Sequence, residues 1–140
     1  MHLKVKRLHP DAKLPSYAHP GDVGLDLFSL EEMTVAPGEK KLFNLGFAME
    51  FDHGYAGIVK DKGSISLLGL HTVGGVYDAG YRGEYNVALV NLSQETHTLA
   101  KGQKIAQLII FPVAICDIIE TETLSDSARG DGKWGSTGKF

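Results

Sequence analysis

The sequence predicts an all-β fold, either a sandwich or a barrel. Apolar and polar residues alternate in four short runs that are rich in β-branched and aromatic side chains: residues 3–5, 41–47, 84–91 and 104–111. A period of two is the pattern of a strand with one buried face. The runs are separated by turns that contain glycine or proline, at residues 36–38, 52–54, 74–75 and 101–102. No helical period is sustained, so an all-β domain follows, with one short helical turn expected over residues 64–68.

The chain has the length of one domain and carries a distinct C-terminal end. At 140 residues it can bury a sizeable core. From Ser125 onward, small and polar residues replace the strand alternation. We therefore expect a β domain over residues 1–124 and a flexible glycine-rich arm over residues 125–140.

The composition excludes several classes of partner. With a formal net charge of −3, the chain has no basic field that would hold a nucleic-acid backbone, so no nucleic-acid partner is expected. The chain shows neither an apolar run long enough for a membrane span nor the apolar core of a signal peptide, so we expect a cytoplasmic protein without a membrane partner. The single cysteine, Cys116, lies in an apolar stretch, where a buried and inert thiol is expected.

The arm carries residues that suit a polyanion. Its glycines at 130, 132 and 135 match the spacing of a dinucleotide-binding loop, but that loop must follow a strand and open a helix, and only five residues remain after it. What remains is a set of free N–H groups, the Ser136 and Thr137 hydroxyls and Arg129, which together could close over phosphates. Trp134 argues against a merely solvated tail, because a tryptophan is costly to leave in water.

Asp78 is the candidate for catalytic chemistry. It lies beside a glycine-flanked hairpin, where a carboxylate can orient a water as general base or help to hold a metal ion. The simpler alternative is an aspartate that only forms the turn. Tyr81, three residues later, could stack on a sugar or could be a half-buried strand residue.

Taken together, five segments resemble, in order and spacing, the five motifs of the homotrimeric dUTPases, the deoxyuridine triphosphate nucleotidohydrolases. The resemblance spans nearly the whole chain. The segments are residues 24–27 with Ser29, residues 61–66, residues 75–84, residues 102–107, and the arm.

The resemblance implies a jelly-roll subunit and a homotrimer with three active sites at the subunit interfaces. It implies hydrolysis of dUTP to dUMP and pyrophosphate, with Mg²⁺ carried by the triphosphate. Asp78 would activate the water that attacks the α-phosphorus. Asp26 would contact the water shell of the metal rather than the ion itself.

The resemblance also assigns the substrate contacts. Uracil would be read, mostly through main-chain groups, at Thr72, Val76, Tyr77 and Asn86. Tyr81 would press on the deoxyribose and leave no room for a 2′-hydroxyl. The phosphates would be held by Lys62, Gly63, Ser64 and Gln107. In the arm, Trp134 would stack on uracil, and further contacts would come from Arg129, Gly135, Ser136 and Thr137.

The chain departs from the family pattern at two places. The second motif usually reads basic residue, serine, glycine, whereas Lys62 is followed here by Gly63 and then Ser64. Lysine in place of the commoner arginine also replaces a bidentate fork by a point charge. In the arm, lysine and tryptophan at 133 and 134 replace glycine and phenylalanine.

Two other functions fit parts of the sequence. The related dCTP deaminases share the fold, but they place a catalytic glutamate where this chain has Ala88, and Glu84 lies too far along the strand to replace it. A nucleotide-binding module without turnover is the second alternative, because the Gly63–Ser64 order departs from the catalytic pattern.

Overall fold

The structure, a computed structural model, describes residues 1–138. The last two residues of the expected arm lie outside this range. The chain forms eleven strands and one helical turn in the described part. In chain order these are β1 (Lys4–Arg7), β2 (Leu25–Phe28), β3 (Met33–Val35), β4 (Lys40–Asn44), β5 (Phe47–Glu50), β6 (Tyr55–Lys60), α1 (Gly63–Ser66), β7 (Leu70–Thr72), β8 (Val76–Asp78), β9 (Asn86–Asn91), β10 (His97–Leu99) and β11 (Lys104–Pro112).

All strand pairs are antiparallel, and they form four sheets. The largest has the order β2-β11-β6-β8, and a second has the order β4-β9-β7. Two further pairs, β1-β5 and β10-β3, complete the arrangement. The prediction of a jelly-roll-like all-β subunit is therefore confirmed.

The core lies between the inner faces of these sheets. Strand β9 shows the predicted period of two, because Val87, Leu89 and Asn91 are buried while the residues between them are partly exposed. Strand β2 is buried along its whole length, so the carboxylate of Asp26 lies inside the protein. A buried carboxylate needs partners, and those partners form part of the candidate site.

The predicted strands are found with shifted bounds. The run at 41–47 is two strands, β4 and β5, because the chain turns at Gly46 with φ of +72°. A side chain at Gly46 would also collide with Ala12 and His9, so glycine is required there. The predicted helical turn is present as α1. It is the one helix within residues 1–138, and none there is long and apolar enough to cross a membrane.

The expectation for Cys116 is wrong, because its side chain is exposed. Strand β11 ends at Pro112, and residues 113–124 leave the sheets with every side chain exposed, including Ile115, Ile118 and Ile119. The apolar pattern of this segment therefore does not pack within its own chain. The exposed segment begins about a dozen residues before the predicted boundary at 124, which stays a prediction.

Candidate active site

A cavity of about 280 Å³ opens between the segment from β7 to β8 and strand β9. It contains the predicted catalytic residue together with the residues outside the arm that were predicted to contact the base and the sugar. These are Thr72, Val76, Tyr77, Asp78, Tyr81 and Asn86. Trp134, predicted to stack on uracil, does not line the cavity. The remaining walls come from Val59, Val73, Gly74, Gly75, Val87 and Ala88. We call it the nucleoside cavity.

Two glycines shape the loop between β7 and β8 at the rim of this cavity. The expected glycine-flanked hairpin is not found here, because the two strands pair with β9 and β6 in different sheets and not with each other. Gly74 and Gly75 have φ of +78° and +107°, a conformation that favours glycine. A Cβ on Gly75 would lie 2.6 Å from Cβ of Val59, so only glycine lets this loop pack against β6. The main chain of Gly74 has no hydrogen-bond partner within residues 1–138. It therefore offers a free N–H and a free C=O beside the cavity.

Tyr77 occupies main-chain groups that were expected to read the base. Its hydroxyl donates to the Asn86 carbonyl at 2.8 Å and accepts the Asn86 N–H at 3.0 Å. Burial, opposed by the hydrogen bond to Asn86, raises the pKa of Tyr77. Thr72 N–H is likewise taken, by the Asp61 carboxylate at 2.7 Å. The main-chain N–H groups of Asn86 and Thr72 are thus paired in the described chain, and the base contacts predicted for these residues stay predictions.

Tyr81 is held with one part of its ring open to solvent. Its hydroxyl donates to the Glu84 carbonyl at 3.0 Å, and its ring packs 5.5 Å from Tyr77 and 5.7 Å from Tyr85, centroid to centroid. A Cβ on Gly83 would overlap the Tyr81 ring, so glycine at 83 leaves room for this orientation. With 40% of the side chain exposed, Tyr81 can still receive a sugar.

Asp78 ends β8 at the mouth of the cavity and is exposed. Its main-chain carbonyl accepts the Tyr81 N–H at 3.0 Å, which fixes the turn between the two residues. Its carboxylate has no ion pair or hydrogen bond in the part of the chain that the structure describes. It is therefore free to orient a water.

A second cavity, of about 240 Å³, collects the residues predicted to meet the metal and the phosphates. Asp26, Lys62 and Gln107 line it, beside Gly24 and the loop before β2. We call it the phosphate cavity. Asp26 lies opposite Gln107 in the pairing of β2 with β11, so the register of that pair brings the two side chains together.

Two lysines compensate the buried charge of Asp26. Lys62 Nζ donates to Oδ1 at 2.7 Å, and Lys104 Nζ lies 2.6 Å from Oδ2 in an ion pair. Burial raises the pKa of Asp26, but the ammonium groups of Lys104 and Lys62 outweigh it and hold the pKa below its ordinary value. Asp22 also lines the cavity, so two carboxylates face two ammonium groups there, and Lys62 is the cation that lines the cavity itself.

Gln107 reaches into this cavity from β11. Its Nε2 donates to the Asp61 carbonyl at 2.8 Å, and its amide packs where a Cβ on Gly24 would collide with it. One N–H of the amide group remains for a ligand, because the group has two. The hydrogen-bond acceptor of the Gln107 amide, the Asp61 carbonyl, thus lies within the same chain.

The loop after β6 places Gly63 and Ser64 at the start of α1, directly after Lys62. Both residues are exposed, and a Cβ on Gly63 would meet no atom within 4 Å. Within residues 1–138 the N–H groups of Gly63 and Ser64 have no main-chain acceptor. They can therefore donate to an anion.

The arm residues are not brought to either cavity. Trp134 is fully exposed, and so are the side chains around it, including Ser136 and Thr137. Arg129 Nε donates to the Gly132 carbonyl at 3.1 Å, and Gly135 has φ of +83°, so this part of the arm forms local turns only. Nothing in the described chain tests the roles predicted for these residues.

Asp26 of the phosphate cavity and Asp78 of the nucleoside cavity lie far apart on one sheet. Asp26, Gln107 and Lys60 form one row across β2, β11 and β6, whereas Asp78 pairs with Ala56, four residues further along β6. Strand spacing and rise give about 20 Å between Asp26 and Asp78. A triphosphate, with its three phosphorus atoms, is shorter than this distance. It therefore cannot contact both Asp26 and Asp78 of the same chain.

Two residues that support the site, Asp61 and Lys104, were not predicted individually from the sequence. Asp61 supplies both the carboxylate bound to Thr72 and the carbonyl bound to Gln107, and Lys104 completes the ion pair with Asp26. Asp61 was recognised only as part of the second motif and Lys104 as part of the fourth. A buried aspartate in β2 indicates that cations compensate its charge. The sequence alone does not identify the lysines that do so.

Comparison with known proteins identifies relatives along the full chain. A curated relative from Clostridium kluyveri, named deoxyuridine 5′-triphosphate nucleotidohydrolase, is 43% identical, and the match covers 99% of each chain. A relative of the same name from Thermobifida fusca is 44% identical over 97% of this chain and 78% of its own. The structure of a dUTPase variant from Staphylococcus bacteriophage 80alpha, solved with dUpNHpp, has a TM-score of 0.92 at 28% identity and covers 99% of each chain.

The family model for dUTPase matches residues 10–138, which includes all five motifs down to the arm. The match, the relatives and the geometry of the two cavities agree. The chain belongs to the dUTPase family.

Proposed function

We propose that the chain hydrolyses dUTP to dUMP and pyrophosphate, with Asp78 as the general base. The observation that carries this proposal is the unpaired Asp78 carboxylate at the mouth of a cavity that also holds Tyr81. Family membership gives the substrate, and the position of Asp78 gives the chemistry. Asp78 accepts a proton from a water, whose oxygen bonds to the α-phosphorus. The bond from this phosphorus to the α–β bridging oxygen breaks, and pyrophosphate leaves.

The phosphate cavity supports binding of the triphosphate. Lys62 is partly exposed and can turn its ammonium from Asp26 to a phosphate, while Lys104 continues to compensate Asp26. The free N–H of Gln107 and the N–H groups of Gly63 and Ser64 add donors. A Cβ built on Gly63 would meet no other atom within 4 Å. Glycine in place of the usual serine therefore leaves the position of the hydroxyl empty.

Magnesium is proposed as a cofactor that arrives with the substrate. No group of three or more acidic, histidine or cysteine side chains among residues 1–138 could cage a metal ion. An ion held by phosphate oxygens and waters needs no such group, and Asp26, which lines the phosphate cavity, would contact its water shell. When bound, the ion neutralises charge on the phosphates.

Base and sugar selection would come from the nucleoside cavity. The free N–H and C=O of Gly74 supply one donor and one acceptor, which suits the fixed hydrogen-bonding edge of uracil. A base of opposite polarity would leave these groups unpaired, and unpaired groups reject a ligand strongly. Tyr81 would cover the deoxyribose and exclude a 2′-hydroxyl.

The separation of Asp78 from Asp26 supports a homotrimer with shared sites. Because about 20 Å separates Asp78 from Asp26 in one chain, a complete site needs the nucleoside cavity of one subunit and the phosphate cavity of another. Residues 113–124 supply surface for such contacts, since Ile115, Ile118 and Ile119 are more than 80% exposed.

The arm is proposed to close over the assembled site. Trp134 and residues 135–138 are exposed, so they are available to cover the base and the terminal phosphate. Closure would exclude water other than the one that attacks. We also propose that the enzyme is cytoplasmic.

The alternatives have less support. A dCTP deaminase would need an acid where the nucleoside cavity has Ala88, and the Glu84 carboxylate is already used to accept the Gly46 N–H at 2.9 Å. A nucleotide-binding module without turnover would not need a free carboxylate at position 78.

The first prediction concerns the substrate. With magnesium and a panel of dUTP, dCTP, dTTP and UTP, we expect pyrophosphate release from dUTP and at least about 100-fold slower release from the others. Pyrophosphate and the nucleoside products are measured together. Release of uracil nucleotides from dCTP would favour deamination, and no release from dUTP would contradict the proposed reaction.

The second prediction concerns Asp78. Asp78→Asn should lower kcat by about 10²- to 10⁴-fold while dUTP still binds, because the amide keeps the shape and loses the base. Steady-state kinetics and calorimetric binding of dUTP measure the two effects. Asp11→Asn, at an exposed aspartate outside both cavities, is the control and should keep wild-type kcat. Near-normal turnover of Asp78→Asn would refute its role.

The third prediction concerns the arm. Deleting residues 129–140 should lower kcat by about 100-fold, because the substrate is no longer fully ordered or shielded from water. Trp134→Phe keeps an aromatic face and should stay within about 5-fold of wild type. If the deletion changed only solubility, the arm would not be a lid.

A further inference from the structure

Asp61 joins three elements that carry different parts of the proposed site. It follows β6 directly and precedes Lys62. Its main-chain carbonyl accepts the Gln107 amide at 2.8 Å. Its Oδ1 accepts the Thr72 N–H at 2.7 Å and the Thr72 hydroxyl at 2.6 Å, and its Oδ2 lies 2.5 Å from Nδ1 of His71. One residue therefore connects β11, β7 and the loop that carries Lys62.

These contacts replace main-chain pairing that the fold does not provide. Strand β6 belongs to the sheet β2-β11-β6-β8, whereas β7 belongs to the sheet β4-β9-β7. At Thr72 one edge of β7 pairs with Leu89 of β9, and the N–H of Thr72 points to the Asp61 carboxylate instead of to a strand. Thr72 is buried, so its polar groups need that partner. Asp61 is thus a link between the two sheets.

The Asp61 carboxylate is charged, which strengthens its hydrogen bonds. Partial burial raises the pKa of Asp61, but the hydrogen bonds from Thr72 and His71 outweigh it and hold the pKa below its ordinary value. The carboxylate is therefore ionised near neutral pH, and hydrogen bonds to an ionised acceptor are stronger than those between neutral groups.

We propose that Asp61 is a positioning residue, which fixes the Lys62 loop and Gln107 in the phosphate cavity by anchoring them to β7 of the nucleoside cavity. The inference rests on the proposed function, because it assigns the phosphates to Lys62 and Gln107. Asp61 does not line either cavity, so it acts through its neighbours. Without its side chain, the loop loses its anchor on β7, and the Gln107 amide loses a fixed acceptor.

The test compares Asp61→Ala with Asp61→Asn and with Glu39→Ala. Asp61→Ala should lower kcat/KM for dUTP by about 30- to 100-fold, because misplacement by about 1 Å has effects of this size. Asp61→Asn keeps an oxygen that can accept from Thr72 and should recover kcat/KM to within about 5-fold of wild type. Glu39 is the matched control, since its carboxylate also accepts a main-chain N–H and pairs with a lysine, yet lies outside both cavities. Glu39→Ala should keep wild-type kcat/KM.

A second measurement does not depend on turnover. In ¹H–¹⁵N spectra of the full chain, the side-chain amide signals of Gln107 should move in Asp61→Ala and stay near their wild-type positions in Asp61→Asn. If wild type fails to hydrolyse dUTP, the proposed function is wrong, and these signals still test the positioning. If Asp61→Ala does not fold, His71→Ala removes one contact to the same carboxylate and should lower kcat/KM by about 3-fold.

Two results would overturn the inference. One is a kcat/KM of Asp61→Ala within about 3-fold of wild type. The other is an unchanged Gln107 amide signal in Asp61→Ala, since the side chain would then hold nothing in the phosphate cavity.

Discussion

The antiparallel register of the sheet β2-β11-β6-β8 is the constraint on which the site depends. It sets Asp26 opposite Gln107 on neighbouring strands and pairs Asp78 with Ala56 at the other side of the sheet. The phosphate and nucleoside cavities are consequently separate features of one chain, with about 20 Å between Asp26 and Asp78. Because a shift of register by one residue would turn each side chain to the other face, both cavities depend on the same pairing. The distance that this pairing imposes is the reason for proposing a site shared between subunits.

Charge compensation around Asp26 gives the phosphate cavity its chemistry. Asp26 is only 3% exposed, so its carboxylate needs a cation beside it. Two ammonium groups, those of Lys62 and Lys104, pair with this one carboxylate. Lys62 can therefore turn to an anion without leaving Asp26 unpaired, since Lys104 remains on its other oxygen. The nucleoside cavity follows a different principle, because there the polar main-chain groups at its walls are satisfied by Tyr77 and Asp61, and those of Gly74 stay free. Electrostatics would hold the phosphates, and hydrogen-bond matching would select the base.

The sequence predicts those features that local pattern encodes. Period two in residues 84–91 and 104–111 located β9 and β11, and the motif spacing located the six predicted residues of the nucleoside cavity. Partners that are distant along the chain could not be predicted. Asp61 and Gln107 are 46 residues apart, and only the folded pairing of β6 with β11 brings them together. Cys116 was misplaced because apolar composition predicts burial but does not specify a packing partner, and its segment has none within the described chain.

Mixed trimers test directly whether one site combines cavities from two subunits. Asp78→Asn and the double variant Lys62→Ala/Gln107→Ala are co-expressed with different affinity tags, and trimers that carry both tags are purified. Each variant alone should be nearly inactive. Mixed trimers should regain about a third of the wild-type kcat, because in a cyclic trimer that contains both variants roughly one interface in three joins an intact nucleoside cavity to an intact phosphate cavity. If the mixed trimers stay as inactive as the separate variants, each site lies within one chain, and the shared site is contradicted.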